Sequence, residues 1–240
     1  MFFLDPTYLL YMLPGLILTL LAQVWVNSTY NKWSKVRNQS GLTGAEAAHQ
    51  LLGYVGLRDI RLDQVGGQLS DHYDPRSRTL RLSAGVGNGQ SVAAVAIAAH
   101  EIGHAVQDQK GYMPMRLRAA LVPAVSIGSN LGLIMIVGGL LLQSMLGTQL
   151  AIQIAWLGVL FFAGGAVFAL ATLPVELNAS NRARKLLSQS GLIQTDRERD
   201  GVNAVLTAAA FTYVAGLATA ILQLLYFVSL VSGMGGRRRS

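Results

Sequence analysis

The chain has 240 residues, 52% of them hydrophobic and 13% charged, no cysteine and a formal net charge of +7. A soluble domain carries about 25% charged residues, so this composition fits a membrane protein, and the lack of cysteine excludes thiol nucleophiles, thiolate metal ligands and disulfides. The basic residues flank the apolar runs and form no single stripe, which argues against a nucleic-acid partner and for positively charged loops beside membrane spans.

The first apolar run is Tyr8–Val26. It follows Asp5, lacks the positive start of a signal peptide, and is expected to be a retained anchor of the length that spans a bilayer. Pro14 is expected to kink it. A polar stretch, Asn27–Arg118, follows and is long enough for a small domain. Thr43 with Glu46 fits a capping box and predicts a helix through Glu46–Tyr54. Alternating residues in Ile60–Val65 and Thr79–Leu82, with turns at Gly66-Gly67 and Asp74-Pro75, predict a short antiparallel meander. The segment SRTLRLS, polar at alternate positions, is expected to be an edge strand on which an extended peptide can pair. Ser91 then caps a helix, SVAAVAIAAHEIGHAVQDQ.

The second run, Leu121–Leu146, and the third, Ala151–Leu173, are separated by only a few residues and predict a transmembrane hairpin. Pro174–Gly201 is polar and helical in pattern up to Gly191. The fourth run, Val202–Val231, is long for one span, so its crossing part is placed nearer Phe211–Val231. The expected organisation is therefore an anchor (1–30), a catalytic region (31–118), a hairpin (119–173), a polar helix (174–203), and a last span with a basic tail (204–240). Sixteen of the nineteen lysines and arginines fall in the two polar stretches. By the positive-inside rule both face the cytoplasm. With four spans the tail Arg237–Arg239 would end outside, against that rule.

The chemistry sits in AAHEIGHAVQ, residues 98–107. On a helix, His100 and His104 point from one face and can offer two imidazole nitrogens to one ion. Glu101, about 100° further round, can reach a water beside that ion. This is the arrangement of a zinc peptidase. An incidental polar patch is the plainer reading, but three ionisable groups in an apolar helix are costly to bury without a use.

A catalytic zinc needs a third protein ligand and an open position. The chain has four glutamates. Glu46 belongs to the capping box, and Glu198, in the charged run DRERD, is expected to be solvated. Glu176 remains, at the exit of the third run. Its alternatives are an interfacial charge or a helix-start carboxylate just after Pro174. His72, with Asp71 and Asp74 in DHYDP, could also approach the helix, although this segment is good turn chemistry. His49 is expected to be an ordinary histidine of the first polar helix.

The combination of SDHYDPRSRTLRLS, AAHEIGHAVQ and LPVELNASNRA, with apolar spans between, resembles the YugP-type membrane zinc metallopeptidases of bacteria. It is more distantly similar to HtpX-like proteases. The resemblance covers nearly the whole chain. It implies an α-helical integral membrane protein with about four transmembrane helices and a small α+β, zincin-like (gluzincin) catalytic region. It also implies Zn2+ held by His100, His104 and Glu176, Glu101 as general base, a protein or peptide substrate, and a place in the cell membrane. HtpX-like enzymes carry an aspartate four residues after the ligand glutamate. Here that position is Ser180, so Asn178 or Ser180 is expected to orient a ligand histidine instead. His72 and Tyr213 are the candidates for stabilising the developing oxyanion, and Tyr213 could equally be an interfacial aromatic.

Two other readings compete with this one. An intramembrane protease would bury HEIGH within a span, yet QDQK follows it closely, which argues against that class. A non-proteolytic membrane adaptor would keep a structural or vestigial metal, but structural zinc is usually closed by four protein ligands. The Gly-rich second and third runs suit close packing.

Overall fold

The computed structural model describes residues 6–236. Asp5 and the tail Arg237–Arg239 lie outside them. In chain order the elements are α1 (Pro6–Trp33), α2 (Gly44–Tyr54), β1 (Arg61–Val65), β2 (His72–Asp74), β3 (Thr79–Ser83), α3 (Ala84–Gly87), α4 (Val92–Gln109), α5 (Met113–Leu146), α6 (Gln149–Gln189) and α7 (Asp196–Gly236). The protein is thus mostly helical with one small sheet. Four helices, α1, α5, α6 and α7, are long and apolar enough to cross a membrane. Leu10, Ile127, Leu160 and Leu170 are among the large apolar side chains they leave exposed, as surfaces that meet lipid require.

The chain divides into two compact units. One comprises Ala22–Arg116 and Pro174–Thr212. The other takes Leu117–Leu173 with the beginning of α1 and the end of α7. In this second, membrane unit α5 and α6 form the expected hairpin, turning at Gly147, whose φ of 59° is easily reached by glycine. They approach backbone to backbone. A Cβ on Gly132 would lie 2.7 Å from the Gly158 carbonyl oxygen, and one on Gly158 would lie 2.7 Å from the Gly132 oxygen. Ile136, Val159, Tyr226 and Phe227 pack together in this unit. The Thr19 and Thr219 hydroxyls lie 3.2 Å apart and link α1 to α7.

The first unit is built around α4. Its Ala/Val/Ile face is buried with Leu51, Leu57, Leu80, Leu187 and Leu206 in one core. Local signals set the helix starts. The Thr43 backbone N–H donates to Glu46 Oε2 at 2.8 Å and the Glu46 N–H donates to Thr43 Oγ1 at 3.2 Å, closing the capping box of α2. Ser91 Oγ accepts from the Ala94 N–H at 3.1 Å and starts α4.

The sheet departs from the expected meander. Its order is β1-β3-β2, with β1 parallel to β3 and β2 antiparallel to it. The Asp74-Pro75 turn does join an antiparallel pair, with Tyr73 opposite Leu80. The chain after Gly66-Gly67, however, passes to the far side of β3 instead of folding back on β1. Burial explains the order. Thr79, Leu80, Leu82 and Ser83 of β3 are buried while β1 is almost wholly exposed. The strand with two covered faces takes the centre, so SRTLRLS is not an edge strand. The edges are β1 and β2.

One carboxylate differs from expectation, and a second loses one of its alternative readings. Glu198 is buried rather than solvated. It accepts from the backbone N–H groups of Gln39, Gln194 and Thr195 at 2.8, 3.0 and 2.9 Å. The charged run DRERD is therefore the capped start of α7, and Glu198 ties it to the loop after α1. Glu176, for its part, does not begin a helix. α6 continues through Pro174, although proline removes the N–H that would bond the Leu170 carbonyl. The helix-start reading of Glu176 falls with it.

Candidate metal centre

His100 and His104 lie one turn apart on α4, with ring centroids 4.8 Å apart and ring planes at 89°. Glu176 comes from α6. Its Oε2 lies 3.3 Å from His100 Nε2 and 3.4 Å from His104 Nε2. One ligand atom from each residue falls within 4.8 Å of the others, so these side chains could hold a metal ion. The donor set fits zinc. Tetrahedral N and O ligands at about 2.0–2.1 Å from an ion stand about 3.3–3.4 Å from one another, and both histidine–carboxylate separations match. The Glu176 side chain is 2% exposed and the two histidines are 13% and 12% exposed. The cluster is therefore closed behind the carboxylate and reachable beside the imidazoles.

The opposite ring nitrogens are engaged elsewhere, as ligand histidines require. His104 Nδ1 lies 2.9 Å from Gln107 Oε1, and His100 Nδ1 lies 3.2 Å from Ser180 Oγ. The hydrogen bonds of Asn178 go to neither histidine. Its Oδ1 accepts from Gln107 Nε2 at 3.0 Å and from Arg182 Nε at 2.7 Å. Gln107 was not foreseen from the sequence. The signal was present, because a residue three positions after His104 shares its helix face.

α4 and α6 meet at Gly103. A Cβ there would lie 2.6 Å from the Ala179 carbonyl oxygen, a backbone atom that cannot swing aside. The glycine of HEIGH thus sets how near Glu176 and Ser180 come to the histidines. Gly103→Ala should push the helices apart, cost about 1–3 kcal/mol of stability and weaken zinc binding. Thermal unfolding and chelator competition on the same preparation would read both effects. Wild-type values in both would contradict the close-contact account.

Glu101 is 8% exposed. Its Oε2 accepts the backbone N–H of Tyr73 at 3.0 Å, so edge strand β2 holds the carboxylate from the sheet side. Burial pushes its carboxyl above the ordinary glutamate value, and His100 and His104 offset part of that rise. Tyr73 is fixed in turn. Its hydroxyl donates to Asp108 Oδ2 at 2.9 Å, and burial together with that carboxylate pushes the phenol upward and keeps it protonated.

The other expected residues fall as follows. His72 is exposed at the start of β2, with Nδ1 2.8 Å from the Ser70 carbonyl. That contact puts the hydrogen on Nδ1, so a neutral His72 offers Nε2 only as an acceptor, and this weakens it as an oxyanion donor. Asp71 accepts from the Ser83 backbone N–H at 2.7 Å. Asp74 accepts from the Ser77 hydroxyl, the Arg76 N–H and Arg81, which hold its carboxyl down to about 2. Both aspartates thus serve the hairpin. His49 is exposed on α2, and Tyr213 is partly buried on α7 in the membrane unit.

A protein-family model described as "Putative neutral zinc metallopeptidase" matches residues 8–232. The chain belongs to this family. It is also 42% identical over 209 residues to "Putative membrane protease YugP" of Bacillus subtilis (strain 168), covering 87% of this chain and 89% of that protein. No solved structure matches it. In this member of the family, a His/His/Glu cluster that could hold a metal ion accompanies four helices long and apolar enough to cross a membrane.

Proposed function

We propose that the protein is a membrane-anchored zinc endopeptidase with its site at the cytoplasmic surface. The observation that carries this reading is the convergence of His100, His104 and Glu176, with the buried carboxylate of Glu101 adjacent in sequence to a ligand histidine. Zinc, when bound, supplies a Lewis acid that polarises a carbonyl and lowers the pKa of a water to about 7. His100 and His104 would hold it through Nε2 and Glu176 through Oε2, with Ser180 and Gln107 fixing the rings. Glu101 accepts the proton of the attacking water as the new C–O bond forms. It then gives that proton to the leaving nitrogen as the C–N bond breaks, so the products are a carboxylic acid and an amine. The Tyr73 N–H holds one oxygen of Glu101 and leaves the other to carry the proton.

The test is hydrolysis of an unfolded protein by the full chain in detergent. Cleavage should stop when a chelator strips the metal and return with stoichiometric zinc. A preparation that holds zinc and cleaves no peptide bond would defeat the reading. Orientation rests on the basic residues beside the predicted span ends and has its own test. The chain contains no cysteine, so Gln64→Cys on exposed β1 gives a single label site. A membrane-impermeant thiol reagent should reach it only after the cells are opened.

A further inference from the structure

Gln107 is fully buried and makes three polar contacts. Which end of its amide faces His104 follows from one unambiguous donor. Arg182 Nε always carries a hydrogen. It lies 2.7 Å from the Asn178 side chain, so the atom it meets is Oδ1. The Gln107 atom 3.0 Å from that same oxygen must then be the amide nitrogen. The second hydrogen of that nitrogen goes to the Val175 carbonyl at 2.8 Å, which can only accept. The other end of Gln107 is therefore oxygen, and it faces His104 Nδ1 at 2.9 Å. Nδ1 must carry the hydrogen, and the lone pair sits on Nε2, the atom that faces Glu176.

We infer that Gln107 is the positioning residue that locks His104 in its Nδ1–H tautomer and ties it to the turn of α6 that carries Glu176. This rests on the metal site described above. One neutral side chain then governs two of the three candidate ligands, because Val175 immediately precedes Glu176. A carboxylate could not replace it, since it would face the Val175 and Asn178 oxygens. Ser180 does less for His100, because its hydroxyl can rotate to donate or accept and so dictates no tautomer.

The experiment uses the full chain in detergent and reads zinc affinity by competition with a chromogenic chelator. Gln107→Met keeps the volume and removes the polar contacts. It should weaken zinc binding by about 10- to 100-fold while thermal unfolding of the metal-free protein stays close to wild type. With four histidines in the chain, 15N-histidine NMR of the zinc-loaded wild type should show His104 protonated on Nδ1. A folded Gln107→Met protein that binds zinc within about twofold of wild type would overturn the inference, because orienting partners are worth more than that. So would a His104 protonated on Nε2. If Gln107→Met does not fold, the Asn178 pair decides. Asn178→Leu removes the oxygen that sets the amide and should weaken zinc binding by about tenfold, whereas Asn178→Asp keeps that oxygen and should recover most of the loss. Equal affinity of the two variants would overturn the inference. A wild type that binds zinc with this tautomer yet cleaves nothing would remove the peptidase reading and leave the role of Gln107 standing. Unchanged zinc affinity in Gln107→Met with full hydrolysis would do the reverse.

Discussion

Glu101→Gln is expected to lower peptide hydrolysis by about 10^2- to 10^4-fold and to leave one zinc per chain in place. The amide is isosteric and can still accept the Tyr73 N–H through its oxygen, so the contact between β2 and α4 survives. What it loses is the capacity to take a proton. Burial raises the Glu101 carboxyl, and a carboxylate held above its ordinary value is a stronger base once ionised. Zinc content by mass spectrometry and turnover of an unfolded protein, measured on one preparation, separate the two effects. An adaptor would tolerate the change without phenotype. A variant that keeps both zinc and full hydrolysis would remove Glu101 from the chemistry.

Glu176→Gln should act on the metal first. The amide preserves the shape of a side chain that is 2% exposed, but it withdraws the negative charge that a two-histidine, one-glutamate zinc site draws from its carboxylate. Zinc content after dialysis is expected to fall from one per chain to near zero, with hydrolysis falling in step. Excess zinc should restore part of the activity, because both histidines remain oriented by Gln107 and Ser180. The two variants thus form a contrast: one keeps the metal and loses turnover, the other loses turnover through the metal. If Glu176→Gln kept stoichiometric zinc through dialysis, another group would have to be the third ligand.

Much of this is legible from local pattern. The spans follow from long apolar runs, the starts of α2 and α4 from cap residues, and the motif from residues one turn apart on one helix. Glu176 stands out because few glutamates exist and the others have local explanations. The remainder depends on partners distant in sequence. Alternation in Ile60–Val65 and Thr79–Leu82 announces strands, but strand order is decided by which strand is covered on both faces, and that is a property of the packed core. Glu198 reads as solvated because its neighbours are charged; the Gln39 N–H that helps bury it lies 159 positions away. Asn178 reads as a direct partner of a histidine, whereas its hydrogen bond goes to Gln107, a neutral residue that no charge or hydropathy pattern singles out.

The donor set is divided along the chain. His100 and His104 are made early, and Glu176 follows only after α5 and most of α6. A nascent chain that stops between them owns a pair of imidazoles and no carboxylate to complete the set. Synthesis of both arms of the hairpin is therefore a precondition for a finished centre. An endopeptidase built on this donor set would gain its centre only once the part of α6 that carries Glu176 has been made and packed against α4.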